Sequence, residues 1–187
     1  MIVSTSAGPG DAREIACIPL GVLSTRLHRL QTLQRVAGRI ADVWAFLADP
    51  RNLGRITPPW MRFEILSPLP AGIYPGLMVA YRVRPVAGFA TTWVTEITHV
   101  REPWLFVDEQ RFGPYRFWHH QHVLRETPAG VEMEDIIHYA LPLGPLASPI
   151  NRLVVAPRLK EIFEFRRRAL ERLFAAESPG HPAVYPQ

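Results

Sequence analysis

A chain of 187 residues, 48% hydrophobic and 20% charged, has the size of one domain and the apolar content of a globular core. It has no run of about 18 apolar residues, which argues against a membrane-spanning helix. Its formal net charge of +4 rests almost wholly on arginine, with Lys160 the only lysine. The densest basic run, Arg166 to Arg168, sits among Glu161, Glu164 and Glu171, so it reads as a solvated helix face and not as a nucleic-acid footprint.

Residues 1–25 are expected to be an N-terminal arm of low order, with no periodicity and the turn-rich stretch "AGPGD". The arm lacks a basic n-region, so a signal peptide is unsupported and the cytoplasm is the expected compartment. The lone Cys17 can form no internal disulfide. The folded domain is expected over 26–175. Its first strand falls in "TRLHRLQTLQRVAG", and "RIADVWAFLADP" follows with Ile40, Val43, Trp44 and Leu47 at helical spacing. Pro50 ends that helix, and "RNLGRITPPW" reads as a turn-rich connector.

The period then changes to two. Strands are predicted at 61–68, 77–85, 90–100, 105–111, 116–126 and 130–141, separated by Gly- and Pro-bearing breakers. Loops this short predict an antiparallel meander for the last five. A long helix closes the domain, with Ser148 as its expected cap, Pro149 at its first position and a kink or break at Pro157. Leu159, Ile162, Phe163, Leu170, Leu173 and Phe174 form its apolar stripe, interrupted by Arg166. Residues 176–187 read as a tail. The order predicts an α+β architecture: a curved antiparallel sheet wrapped on the long C-terminal helix, with room for a cavity between them.

The stretch "FWHHQHVL" concentrates the candidate chemistry. In a strand, Trp118, His120, His122 and Leu124 share one side. If "TPAG" or its inner pair closes the next hairpin, Trp118 faces Tyr139, His120 faces Ile137 and His122 faces Asp135, with Met133 on the same side. The turn "FGPY" likewise brings Asp108 and Gln110 near His120 and Trp118. This set is the more apolar one, so it is placed inward; Arg116 shares its parity but sits at the strand end, within reach of solvent.

An inward His122–Asp135 pair beside His120 would be a polar island that needs partners. It could brace the sheet, orient a ligand, or move protons, with His120, His122 and Asp135 as the catalytic candidates. His-x-His with a carboxylate is chemically adequate for zinc, but no second cluster supports it, and no metal or other cofactor is assigned. A Schiff base is disfavoured because Lys160 lies on the last helix, and no phosphate loop or nucleophile elbow occurs. Glu96, beside Trp93, is expected at the surface more than in a cavity. The five tryptophans at 44, 60, 93, 104 and 118 read individually as core, and together they make an aromatic-lined pocket plausible.

The segments "DVWAFLADPRNLGRITPPWMRFEIL", "FVDEQRFGPYRFWHHQHVL", "MEDIIHYALPLG" and "LKEIFEFRRRAL", in this order, resemble the SRPBCC superfamily. This is the START-like, helix-grip group of polyketide cyclases, lipid-transfer domains and plant ligand binders. The likeness covers roughly residues 26–174 and is similar to an uncharacterised bacterial branch. It implies a seven-stranded sheet gripping the terminal helix around an apolar cavity, and it implies no particular reaction, because the group holds both carriers and enzymes. The first expectation is therefore a module binding a small hydrophobic or amphipathic molecule: a lipid, isoprenoid or polyketide-like compound. Its expected ligand contacts are Trp93, Asp108, Gln110, Trp118, His120, His122, Met133, Asp135, Ile137, Tyr139, Ile162 and Phe163. A cyclase- or dehydratase-type enzyme using the same histidines, and an accessory interaction domain with a collapsed pocket, remain open beside it. No nucleic-acid partner is expected, and the oligomeric state is not legible.

Overall fold

The computed structural model describes residues 13–14, 18–20, 25–84, 90–142 and 144–176. Of the expected arm and tail, residues 1–12, 15–17, 21–24 and 177–187 lie outside the described residues. Among the described residues, nine strands carry the fold. They are β1 (Arg13–Glu14), β2 (Ile18–Leu20), β3 (Thr25–Val36), β4 (Glu64–Ile65), β5 (Met78–Val83), β6 (Thr91–Arg101), β7 (Leu105–Phe112), β8 (Phe117–Thr127) and β9 (Gly130–Ala140). Strands β3 to β9 form an antiparallel sheet in the order β3-β9-β8-β7-β6-β5-β4, so β5 to β9 are the meander that the short loops predict, with β4 added at its edge. Strand β3 pairs with β9 on one side, and on its other side β1 and β2 occupy ladder groups that an edge strand would otherwise leave unpaired.

The register of β8 and β9 is the one that a two-residue turn at Pro128–Ala129 dictates. Thr127 pairs with Gly130, and the ladder then sets His122 opposite Asp135, His120 opposite Ile137 and Trp118 opposite Tyr139. Gly130 makes this turn possible. Its φ is +118°, and a Cβ there would fall 2.5 Å from the carbonyl oxygen of Val36. Gly130→Ala therefore meets both a disfavoured backbone conformation and a backbone clash, and is expected to lose about 2 kcal/mol or more of stability. The urea unfolding midpoint checks this; an unchanged midpoint would show that the turn relaxes freely.

Burial alternates along β8 from Phe117 to Arg125 and along β9 from Gly130 to Tyr139. Trp118, His120, His122 and Leu124 on β8, and Val131, Met133, Asp135, Ile137 and Tyr139 on β9, are buried, while their neighbours are more accessible. The inward face is the expected one, and Arg116 at the strand end is exposed. Against this face lies α3 (Ala156–Ala176), which buries Leu159, Phe163, Ala169, Leu170 and Phe174. The opposite end of the concave face is closed by α1 (Ile40–Leu47), with Val43 and Trp44 buried, and by a 3-10 helix at Pro50–Ile56. That second helix occupies the stretch expected to be a connector; the Asp49 side chain caps it, accepting from Arg51 N at 3.0 Å.

Four expectations need correction. The strand predicted at 61–68 shrinks to β4, because Pro59–Met61 forms a 3-10 turn and Arg62 adopts a left-handed conformation at its end (φ 45°). Ser148 does not cap the last helix. The chain is already helical at α2 (Ala147–Ile150), with Leu146 in the cap position and no side-chain hydrogen bond there. Of the kink or break expected at Pro157, the break does not occur. A π-turn at Asn151–Val155 widens the helix just before it, with the Ala156 N–H bonded back to Asn151, so the missing proline N–H is absorbed without a break. Trp60 and Trp104 are not core residues: they are 37% and 49% exposed, with Arg158 and Arg101 stacked over them at 5.0 and 5.6 Å.

Candidate functional site: a polar cluster in an aromatic cavity

The buried apolar residues form two clusters, and the polar groups lie between them. One gathers Trp44, Phe106, Leu124, Met133 and Leu170; the other gathers Trp93, Trp118, Ile137, Tyr139, Leu159 and Phe163. On β8 the histidines stand between Trp118 and Leu124, and on β9 Asp135 stands between Ile137 and Met133. Here the sheet and α3 enclose a cavity of about 180 Å³. Its walls are mostly apolar and aromatic, including Phe46, Ile56, Val79, Phe106, Tyr115 and Leu159.

Of the twelve expected contacts, Trp93, Asp108, Trp118, His120, His122, Ile162 and Phe163 line the cavity. Gln110, Met133, Asp135, Ile137 and Tyr139 do not. Gln110 is engaged at the β7–β8 turn: its amide donates to Tyr115 O at 2.6 Å and its carbonyl accepts from Tyr115 N at 3.2 Å. Met133 and Ile137 are completely buried. The Tyr139 hydroxyl donates to Asn151 Oδ1 at 2.8 Å, and Asn151 Nδ2 in turn lies 3.2 Å from His28 Nδ1. Asp135 stands behind the histidines, 2% exposed. Glu96 pairs with Arg111 on the outer surface.

Two carboxylates and two imidazoles make a closed group. His122 Nε2 hydrogen-bonds Asp108 Oδ2 at 3.0 Å, and His120 Nδ1 lies 3.2 Å from the same oxygen. His120 Nε2 hydrogen-bonds Asp135 Oδ1 at 3.0 Å. His122 Nδ1 lies 2.8 Å from that oxygen but off the direction of a hydrogen bond. Thr32 Oγ1 donates to the other Asp135 oxygen at 3.5 Å. Aromatic rings hold both imidazoles in place: Phe106 stacks on His122 at 4.0 Å, and Phe163 meets His120 edge-on at 5.6 Å.

The charges follow from this enclosure. Burial alone would raise both aspartates, but the two histidines outweigh it and hold each carboxyl well below the ordinary range. Burial alone would lower His120, but Asp108 and Asp135 reverse the sign, so its imidazolium persists above the usual histidine range. The arrangement can present a charged acid or donor to the cavity, or hold a cation.

Sequence reasoning missed Arg166. It lines the cavity, stacks over Phe163 at 4.9 Å, and its Nε is a buried donor with no partner among the described residues. The signal was present, since a guanidinium interrupting an otherwise apolar helical stripe is aimed at the interior. Its neighbours differ: Arg167 is engaged with Glu164 and Glu171, and Arg168 with Glu164, as expected of a solvated face. Trp93 Nε1 is a second buried donor without a partner among the described residues.

No family model matches the chain, and no curated protein matches it at the level of sequence. Solved structures do match. Protein Ms6760 from Mycobacterium smegmatis is 18% identical over 88% of this chain and 99% of its own, with a TM-score of 0.57. Protein TTHA0849 from Thermus thermophilus is 15% identical over 80% of this chain and 99% of its own, with a TM-score of 0.58. A Thalictrum norcoclaurine synthase mutant, solved with a transition-state analogue, is 14% identical over 83% of this chain and 99% of its own, with a TM-score of 0.60. Likeness at these identities speaks to architecture, and with the sheet, helix and cavity described above it establishes that the chain has the helix-grip, Bet v1-like fold.

Proposed function

We propose that this chain is a binding protein of the SRPBCC type, whose cavity takes a compact amphipathic molecule, ring-sized and carrying acceptor oxygens. The observation that carries this reading is a cavity with mostly apolar and aromatic walls, at which Asp108, His120, His122 and Arg166 converge from β7, β8 and α3. Apolar walls with few polar groups are the usual build of a ligand site. The volume of about 180 Å³ falls below the roughly 300–1,000 Å³ of drug-sized sites. It is close to an engineered cavity of about 150 Å³ that holds benzene. A ring compound of the polyketide or isoprenoid kind fits that space better than a long-chain lipid. The unpartnered donors Arg166 Nε and Trp93 Nε1 favour a ligand with acceptors, since a buried donor regains about 1–3 kcal/mol when paired.

Native mass spectrometry of the purified chain, with thermal shifts against aromatic carboxylic acids, their uncharged analogues and long-chain fatty acids, tests this reading. A ring-sized acid should be retained or preferred. An empty chain that responds to none of the probes would overturn it. Arg166→Met should weaken capture of the acids at least tenfold, by about 1.4 kcal/mol, and leave the uncharged analogues nearly unaffected. Equal loss for both classes would mean that the guanidinium serves packing alone.

A cyclase- or dehydratase-type activity is the second reading, favoured by the His120 imidazolium held between two carboxylates at the cavity wall. Such a group could protonate a carbonyl oxygen of a molecule held against these mostly apolar walls. Here His122→Ala should remove turnover while affinity largely remains; under pure binding it should weaken capture modestly. The open cavity favours either reading over a docking domain with a collapsed pocket.

A further inference from the structure

We propose that Asp108, His120 and His122 form a site for one divalent transition-metal ion, with Asp135 holding both imidazoles in the ligating orientation. All four ring nitrogens of His120 and His122 face carboxylate oxygens: His120 Nδ1 and His122 Nε2 face Asp108 Oδ2, while His120 Nε2 and His122 Nδ1 face Asp135 Oδ1. Carboxylates accept and do not donate, and a neutral imidazole carries a single N–H. Without an ion the group is satisfied only where a ring is an imidazolium, as at His120; any neutral ring would turn one nitrogen lone pair toward anionic oxygen, in a buried place where such a conflict is costly.

A divalent cation beside Asp108 Oδ2 satisfies the same group with both rings neutral. It takes the lone pairs of His120 Nδ1 and His122 Nε2, leaving His120 Nε2 hydrogen-bonded to Asp135 Oδ1 at 3.0 Å and His122 Nδ1 2.8 Å from the same oxygen. The charge also closes, since two carboxylates balance one divalent ion. A carboxylate behind a metal-bound histidine is the recurrent way to set its tautomer, and here one oxygen of Asp135 serves both rings.

The spacing agrees. Ligand atoms about 2.1 Å from one ion lie about 3.0 Å apart at right angles and about 3.4 Å apart at the tetrahedral angle. Asp108 Oδ2 is 3.0 Å from His122 Nε2 and 3.2 Å from His120 Nδ1, and the three residues offer ligand atoms all within 4.8 Å of one another. Two imidazoles and one carboxylate suit zinc, iron(II) or cobalt(II) better than magnesium or calcium. These three side chains line the cavity and Asp135 does not, so the remaining coordination positions open toward bound molecules.

The test uses the full chain after chelator treatment, with Zn²⁺ and Co²⁺ alone as probes, read by calorimetry and by the visible absorption of Co²⁺. One ion per chain is expected, with a nitrogen-and-oxygen cobalt spectrum and a raised unfolding temperature. Asp108→Asn, nearly isosteric, should weaken binding about 100-fold, and Asp135→Asn about 10- to 100-fold. His119→Ala and His99→Ala, on the outer face, should leave it unchanged. No stoichiometric binding, or binding lost in His119→Ala or His99→Ala but kept in Asp108→Asn, would overturn the proposal. The site shares its residues with the proposed ligand reading but does not depend on it. Ring-acid capture by the chelated chain tests that reading alone, so either can fail without the other.

Discussion

Asp135→Ala is expected to destabilise the metal-free protein by about 3–5 kcal/mol, the range for removing one member of a buried charged pair. The residue is 2% exposed and its Oδ1 lies within 3.0 Å of nitrogens on both His120 and His122. Without it, a positively charged imidazole would face apolar neighbours, with Ile137 and Met133 completely buried on the same strand face. Asp135→Asn keeps the volume and one acceptor, so its loss should be smaller. Guanidinium unfolding of the two variants in chelator distinguishes these cases. Equal and small losses, under about 1 kcal/mol, would mean that the four-residue group relaxes around the change and does not brace the sheet.

Ile162→Trp should abolish ligand capture with little harm to the fold. Ile162 is half-buried on α3, one residue before Phe163, and its side chain lines the cavity. An indole there takes up a large part of about 180 Å³. Overpacking of a filled core costs about 1–3 kcal/mol, but here the added atoms enter open space, so the change in stability should lie at or below that range. Affinity for the ring acids should fall at least 100-fold, about 2.7 kcal/mol. Thermal shift and calorimetry measure both effects on one sample. Retained capture would place the ligand elsewhere on the protein.

The metal and ligand readings converge on β7 and β8 because of how this sheet is made. Asp108 lies opposite His120 across one ladder, and His122 lies opposite Asp135 across the next. A strand flanked on both sides can place its inward side chains between two partners at fixed spacing. Four ionisable groups from three adjacent strands therefore meet without any loop contributing one.

Much of this was legible in local sequence. The period-two runs and short Gly- and Pro-bearing turns determined the strands, and turn length alone determined which residues face His120 and His122, because a register slip would have turned every side chain to the other face. The apolar stripe on the last helix determined which side of α3 meets the sheet. Tertiary structure decided the rest. Hydrophobic periodicity does not report curvature, so only the fold shows that the cavity spans from Trp93 to the 3-10 helix at Pro50–Ile56 and leaves Met133 and Ile137 behind it. Nor does sequence spacing show that Asp108 Oδ2 is shared by two imidazoles, or that Asp135 stands behind them and does not line the cavity. Those facts depend on how the sheet bends over the helix, and that bend is set by contacts between residues far apart in the chain.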